Sequence, residues 1–156
     1  MKTINSLVRE MKNKIRKPRL TDFHKACIIA KEWDAKCAFS WTGDYCEVDV
    51  ESRFITIDLN EVENINHFWS LFFHELGHLW CWDNNKYDTY HAEAVRPDRI
   101  AKYMRRMALR VEKYVDTVGK RLMKDYFPNM YYRPAYGSKE NVQWFKKHIQ
   151  EIYPEE

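Results

Sequence analysis

The chain is poor in the residues that break regular structure: its 156 positions include only four glycines and five prolines. That scarcity argues against a loop-dominated or collagen-like chain. No apolar run approaches the ~18 residues that a membrane span needs, so no membrane partner is expected. The N-terminal stretch is charged and lacks the apolar core of about 7–15 residues that marks a secretory leader. Cys27, Cys37, Cys46 and Cys81 form no Cys-x-x-Cys pair. Together these absences lead to the expectation of a cytoplasmic protein with reduced thiols.

What is present is apolar and aromatic. Hydrophobic residues make up 45% of the chain and aromatics 15%, enough for a single core and one domain over residues 1–156. The net charge of +3 does not by itself imply nucleic acid. Its placement is uneven. Lys2, Arg9, Lys12, Lys14, Arg16, Lys17 and Arg19 face Glu10 alone, residues 32–63 are mostly acidic, and residues 96–147 are basic again. Such blocks are ordinarily solvated helix faces. The alternative they allow is a basic groove for nucleic acid, as in a DNA-associated protein or a DNA-linked protease.

Leu7, Val8, Met11 and Ile15 recur at helical spacing and predict a helix over residues 5–17, ended by Pro18. Thr21 or Asp22 can cap a second helix whose inner face is Phe23, Ala26, Cys27, Ala30 and Trp33. Residues 38–41, 46–50 and 54–58 then read as three strands of a small antiparallel meander. Asn64 or Asn66 can cap the next helix. It carries Phe68, Trp69, Leu71, Phe72, Phe73, Leu76, Leu79 and Trp80, is apolar nearly all round, and is expected in the core. After a polar loop, Pro97 or Asp98 starts a long helix to about Tyr126, and residues 139–152 predict a last one. The class is α+β.

Within the apolar helix, His74-Glu75-Leu76-Gly77-His78 stands out. His74 and His78 lie one turn apart on one face, a spacing that lets two imidazoles bind one zinc ion. Glu75 falls beside such a metal, where a carboxylate can take a proton from an activated water and pass it to a leaving amine. An ionised Glu in a buried helix is costly unless partnered. Gly77 sacrifices about 1 kcal/mol of helix propensity relative to Ala, so it needs a packing reason, and a tight approach to the sheet or a substrate would supply one. The bland reading is a pair of satisfied core histidines.

A catalytic zinc site usually has three protein ligands and one open position. The long pattern with glycine at position 81 and histidine at position 84 is excluded, because Cys81 and Asn84 stand there. Asp83, His91, Glu93 and Glu112 are the candidates for the third ligand. Glu112 is favoured because Asp116 follows one turn later on the same face and can accept the N–H of a ligating His. The competing reading makes both ordinary surface charges beside Arg110, Lys113 and Lys120.

In these segments the sequence resembles the gluzincin metallopeptidases, and among them the ImmA/IrrE-type peptidases of phages, mobile elements and bacterial regulation. The resemblance rests on His74-Glu75-Leu76-Gly77-His78, on Glu112-Lys113-Tyr114-Val115-Asp116, and on Gly119 and Leu122-Met123 after them, and covers about residues 37–128. Val115 and Gly119 stand where that family has alanines. The resemblance implies a minimal zincin-like domain with a buried motif helix and a long ligand-bearing helix. It implies zinc held by His74, His78 and Glu112, with Glu75 as general base and Asp116 supporting a ligating His. It also implies a Tyr or His donating to the oxyanion, with Tyr87, Tyr90, His91, Tyr131, Tyr132 and His148 as candidates.

Residues 54–59 can be read as an edge strand that pairs with a peptide, though plain sheet packing is favoured. Cys81 reads as core, Trp82 as a possible pocket wall, and His24 and His67 as structural or solvent-facing. The leading expectation is a zinc metallopeptidase acting on a protein or peptide. The alternatives are a DNA-associated protein and a zinc-binding regulatory module without catalysis.

Overall fold

The computed structural model describes residues 1–7, 15–43, 46–84, 86, 100–135 and 139–152, with backbone alone at 100–107 and 148–152. Most of the helix predicted over residues 5–17 lies outside this set, as do most of the polar loop and the start of the long helix. Helix α1 spans Leu20–Glu32. Asp22 sits in its first turn rather than capping it. Its carboxylate accepts the Arg19 N–H at 2.8 Å and the Arg16 guanidinium at 2.7 and 3.1 Å. The buried face is Ala26, Ile29 and Ala30; Cys27, expected on that face, is exposed, because Ile29 falls nearer the middle of the stripe.

Strands β1 (Lys36–Ser40), β2 (Glu47–Asp49) and β3 (Phe54–Asp58) form a sheet in the order β1-β3-β2. This corrects the expected antiparallel meander. β3 pairs parallel with β1 and antiparallel with β2, so the small sheet is mixed and β3 is its central strand. The physical reason lies in the side chains. Ile55 and Ile57 are fully buried and suit a strand covered on both edges, whereas Glu47 and Asp49 are exposed and suit an edge. Residues 54–59 therefore offer no free edge; the edge on that side is β2. Arg53 ties the corner together, reaching Asp83 at 2.6 and 3.0 Å, the Trp33 carbonyl at 2.7 Å and the Asp34 carbonyl at 3.0 Å.

Helix α2 (Ile65–Asp83) is capped by Asn64, whose Oδ1 accepts the His67 N–H at 2.9 Å. Its aromatic residues bind it to α1, β1 and the end of α3. Phe68 meets Phe23 of α1 and Phe39 of β1 at ring separations of 5.5 and 6.0 Å. Trp69 meets Phe127 at 4.7 Å and Phe73 meets Tyr126 at 5.4 Å. Phe68, Trp69, Phe72, Phe73, Leu76 and Leu79 are all within 1% of full burial, each contributing about 1.5–3 kcal/mol. Helix α3 (Ile100–Tyr126) packs on α2 through Val115, Val118, Leu122 and Met123, and α4 (Lys139–Ile152) packs on α3. Among the described residues no helix is long and apolar enough to cross a membrane.

The two long helices touch backbone to backbone. A Cβ on Gly77 would lie 3.0 Å from the Val115 carbonyl oxygen and 3.3 Å from the Gly119 nitrogen. A Cβ on Gly119 would lie 2.8 Å from the Phe73 carbonyl oxygen. The reason for Gly77 is thus a helix crossing, not the sheet or a substrate. Gly119→Ala is expected to lower stability by about 1–3 kcal/mol despite a helix-propensity gain of about 1 kcal/mol. Thermal unfolding checks this, and an unchanged or higher Tm would show that the helices part freely.

Candidate metal centre

The crossing of α2 and α3 determines which side chains meet. His74 and His78 project from one face of α2, their rings 5.0 Å apart and nearly perpendicular. Glu112 and Asp116 project from one face of α3, also one turn apart. Glu112 Oε2 lies 2.8 Å from His74 Nε2 and 3.2 Å from His78 Nε2. Ligand atoms of these three residues all fall within 4.8 Å of one another, so the group could hold a metal ion. Tetrahedral coordination with bonds of ~2.0–2.1 Å separates neighbouring ligand atoms by ~3.3 Å, against 2.8 and 3.2 Å from Glu112 Oε2 to the two imidazoles here. The donor set of two imidazole nitrogens and one carboxylate oxygen suits a divalent first-row metal.

Asp116 backs this group. Its Oδ1 accepts from His74 Nδ1–H at 2.9 Å, from the Tyr132 hydroxyl at 2.8 Å and from the Ala135 N–H at 3.0 Å. The first of these bonds holds a proton on Nδ1 and turns Nε2 of His74 toward Glu112, where loss of the Nε2 proton would free it to bind a metal. Burial favours a neutral His74, but Asp116 and Glu112 outweigh it and hold the imidazolium up to about 10. Burial likewise opposes charge on Glu112, yet the two imidazoles bring its carboxyl down to about 2. A divalent cation would supply the positive charge that protons otherwise supply here.

Glu75 is 5% exposed and lies at the junction of two clefts. The smaller, about 240 Å³, touches His74, His78 and Glu112, so the group opens onto free space on that side. It is bounded by Glu47 and Val48 of β2. The larger, about 530 Å³, runs from His74 and Glu75 past Ser70 and His67 to Trp144 of α4. Burial raises the Glu75 carboxyl above the ordinary range, against the lowering effect of both histidines.

The structure thus brings His74, Glu75, His78, Glu112 and Asp116 together. Asp83 is engaged with Arg53 instead. His91 and Glu93 lie outside the described residues, as do Tyr87, Tyr90 and the side chain of His148. Tyr131 is exposed at 71% and lines neither cleft, and Tyr132 is buried with its hydroxyl committed to Asp116. Burial and Asp116 push the Tyr132 hydroxyl up, so it keeps its proton and donates. Cys81 is in the core as expected, and Trp82 lines neither cleft. Sequence reasoning missed the segment after α3. Arg133 N–H donates to Ser70 Oγ at 2.8 Å, which lays Tyr132 and Ala135 against Asp116. No periodicity marks such a segment; Pro134 is its one local signal.

Asp116→Asn is expected to weaken binding of a divalent metal about 10–100-fold while the helices remain packed. Competition with a chromophoric chelator measures this, and an unchanged affinity would remove Asp116 from the centre. Comparison with known proteins finds no family model, no curated protein and no solved structure that matches this chain.

Proposed function

We propose that the chain is a zinc-dependent peptidase of gluzincin type, with a zincin-like arrangement of one short sheet, a buried motif helix and a ligand-bearing helix. One observation carries the reading: a single oxygen of Glu112 lies between the Nε2 atoms of His74 and His78, with Glu75 beside them at the meeting of two clefts. His74, His78 and Glu112 would hold the zinc, and Asp116 would orient His74. When bound, zinc supplies Lewis acidity and brings the pKa of a coordinated water towards ~7.

Glu75 supplies the proton transfers. Its carboxylate removes a proton from the attacking water and returns it to the amine as the peptide bond breaks, so the carboxylate is regenerated. A carboxyl raised by burial suits both halves of that task better than one of ordinary acidity. The substrate is a protein or peptide in extended form. The outer edge of β2 borders the smaller cleft, and its backbone can pair with an extended chain there. The resemblance to ImmA/IrrE-type peptidases extends this reading to a cytoplasmic regulatory role, on the strength of the Glu112–Asp116 spacing.

A metal-binding module without catalysis would close the centre with a fourth protein ligand. Among the described residues, no fourth histidine, cysteine or carboxylate joins the group. Glu75→Gln is expected to keep one zinc per chain and to lower cleavage of a denatured protein substrate by about 10²–10⁴-fold. Cleavage at the wild-type rate would sink the mechanism.

A further inference from the structure

The larger cleft is unbalanced in charge. Among the described residues its one guanidinium, Arg133, is paired with Glu63, with nitrogen–oxygen distances of 2.7 and 3.4 Å. His67 brings no positive charge near neutral pH, because burial, reinforced by Arg133, holds its imidazole down at about 4. Its Nδ1 is a neutral acceptor for the Glu63 N–H at 3.1 Å. Cys46, pushed up to about 12 chiefly by burial, stays a thiol. Glu61, exposed on the wall of this cleft, has no hydrogen bond or ion pair through its carboxylate among the described residues.

Behind Glu61 stands a second carboxyl group. Asp58 is fully buried and its Oδ2 has no hydrogen-bond partner. Its backbone N–H donates to Cys46 Sγ at 3.3 Å and its carbonyl accepts the Glu61 N–H at 3.1 Å, which places it behind this wall of the cleft. Partial burial and Asp58 together raise the Glu61 carboxyl, the signature of a carboxylate short of a cation. On the other side of Glu75, Glu47 lines the smaller cleft and is likewise unpaired among the described residues. A divalent ion in the centre would be matched by Glu75 and Glu112 and would leave Glu47 and Glu61 without a paired cation among the described residues. Trp144, 45% exposed, also lines the larger cleft and gives it an aromatic surface.

Resting on the peptidase reading, we propose that the clefts select a basic peptide, with Glu61 receiving a lysine or arginine side chain and Trp144 lying along its aliphatic stem. An aromatic face and a carboxylate match the two halves of such a side chain. A cleft of about 530 Å³ holds the side chain together with adjoining backbone. Unpaired carboxylates on both sides of Glu75 attract positive charge and repel acidic segments.

The test uses binding, so that it does not depend on turnover. Zinc-loaded Glu75→Gln protein is titrated with fluorescein-labelled peptide libraries of one length, each carrying a single lysine, glutamine or glutamate, and anisotropy gives Kd. Lysine peptides are expected to bind at least about tenfold more tightly than glutamate peptides, with the gap shrinking as salt rises. Glu61→Gln should remove most of that preference and Glu61→Lys should invert it. Equal binding of the three libraries, no binding of any, or a preference untouched by Glu61→Gln would overturn the proposal. So would loss of the lysine preference in millimolar calcium at constant ionic strength, which would make Asp58 and Glu61 a cation site instead. Wild-type protein that binds lysine peptides selectively but cleaves none would count against the peptidase reading and support the cleft assignment. Cleavage without preference would do the reverse.

Discussion

A side chain as small as a methyl at position 77 or 119 would collide with the backbone of the opposite helix, at 3.0 Å from the Val115 carbonyl and 2.8 Å from the Phe73 carbonyl respectively. Glycine at both positions lets α2 and α3 approach until their backbones touch. The imidazoles of α2 and the carboxylates of α3 are short and stiff enough that this separation decides whether they meet. At the present crossing, Glu112 reaches both histidines and Asp116 reaches the far nitrogen of His74. Widening the gap by the radius of a methyl group would part every one of those contacts.

The same crossing explains how ionisable groups survive in the core. His74, Glu75 and Asp116 are each less than 9% exposed, and an unpaired charge in such surroundings costs several kcal/mol. Among the described residues, Asp116 accepts from His74 of α2 and from Tyr132 and Ala135 of the segment after α3. Glu112 is partnered by both histidines. Around this polar seam the aromatic residues of α2 form an apolar shell bound to α1, β1 and the end of α3, which holds the seam at fixed geometry. A rigid apolar frame around a satisfied polar network is what positions ligands before a metal arrives.

The clefts follow from the order of the sheet. Because β3 takes the centre, β2 is left on the edge, and its Glu47 comes to border the candidate metal centre. The segment after α3 then runs back across Ser70 of α2, walls the larger cleft, and leads into α4, which adds Trp144. Glu61, Glu63 and Arg133 of the larger cleft come from connections between elements, whereas Glu47, Glu75 and Glu112 come from β2, α2 and α3.

Much of this was legible in the chain itself. Periodicity alone marked the apolar helix that became α2, the pairing of His74 with His78 on one face, and the pairing of Glu112 with Asp116 on another, because a helical repeat reports which residues share a side. It also located the three strands and the last helix. Periodicity says nothing about which face meets which. The contacts of His74 with Glu112 and Asp116 join residues 38 and 42 positions apart, and no local pattern spans that distance. The parallel pairing of β1 with β3, the neighbour that requires Gly77 to be a glycine, and the return of Tyr132 and Ala135 to Asp116 are all of this kind. Local sequence determined the faces, since those depend on backbone repeat and side-chain polarity. Only the tertiary structure decided their apposition, since that depends on how closely two backbones can approach and on what the core must cover.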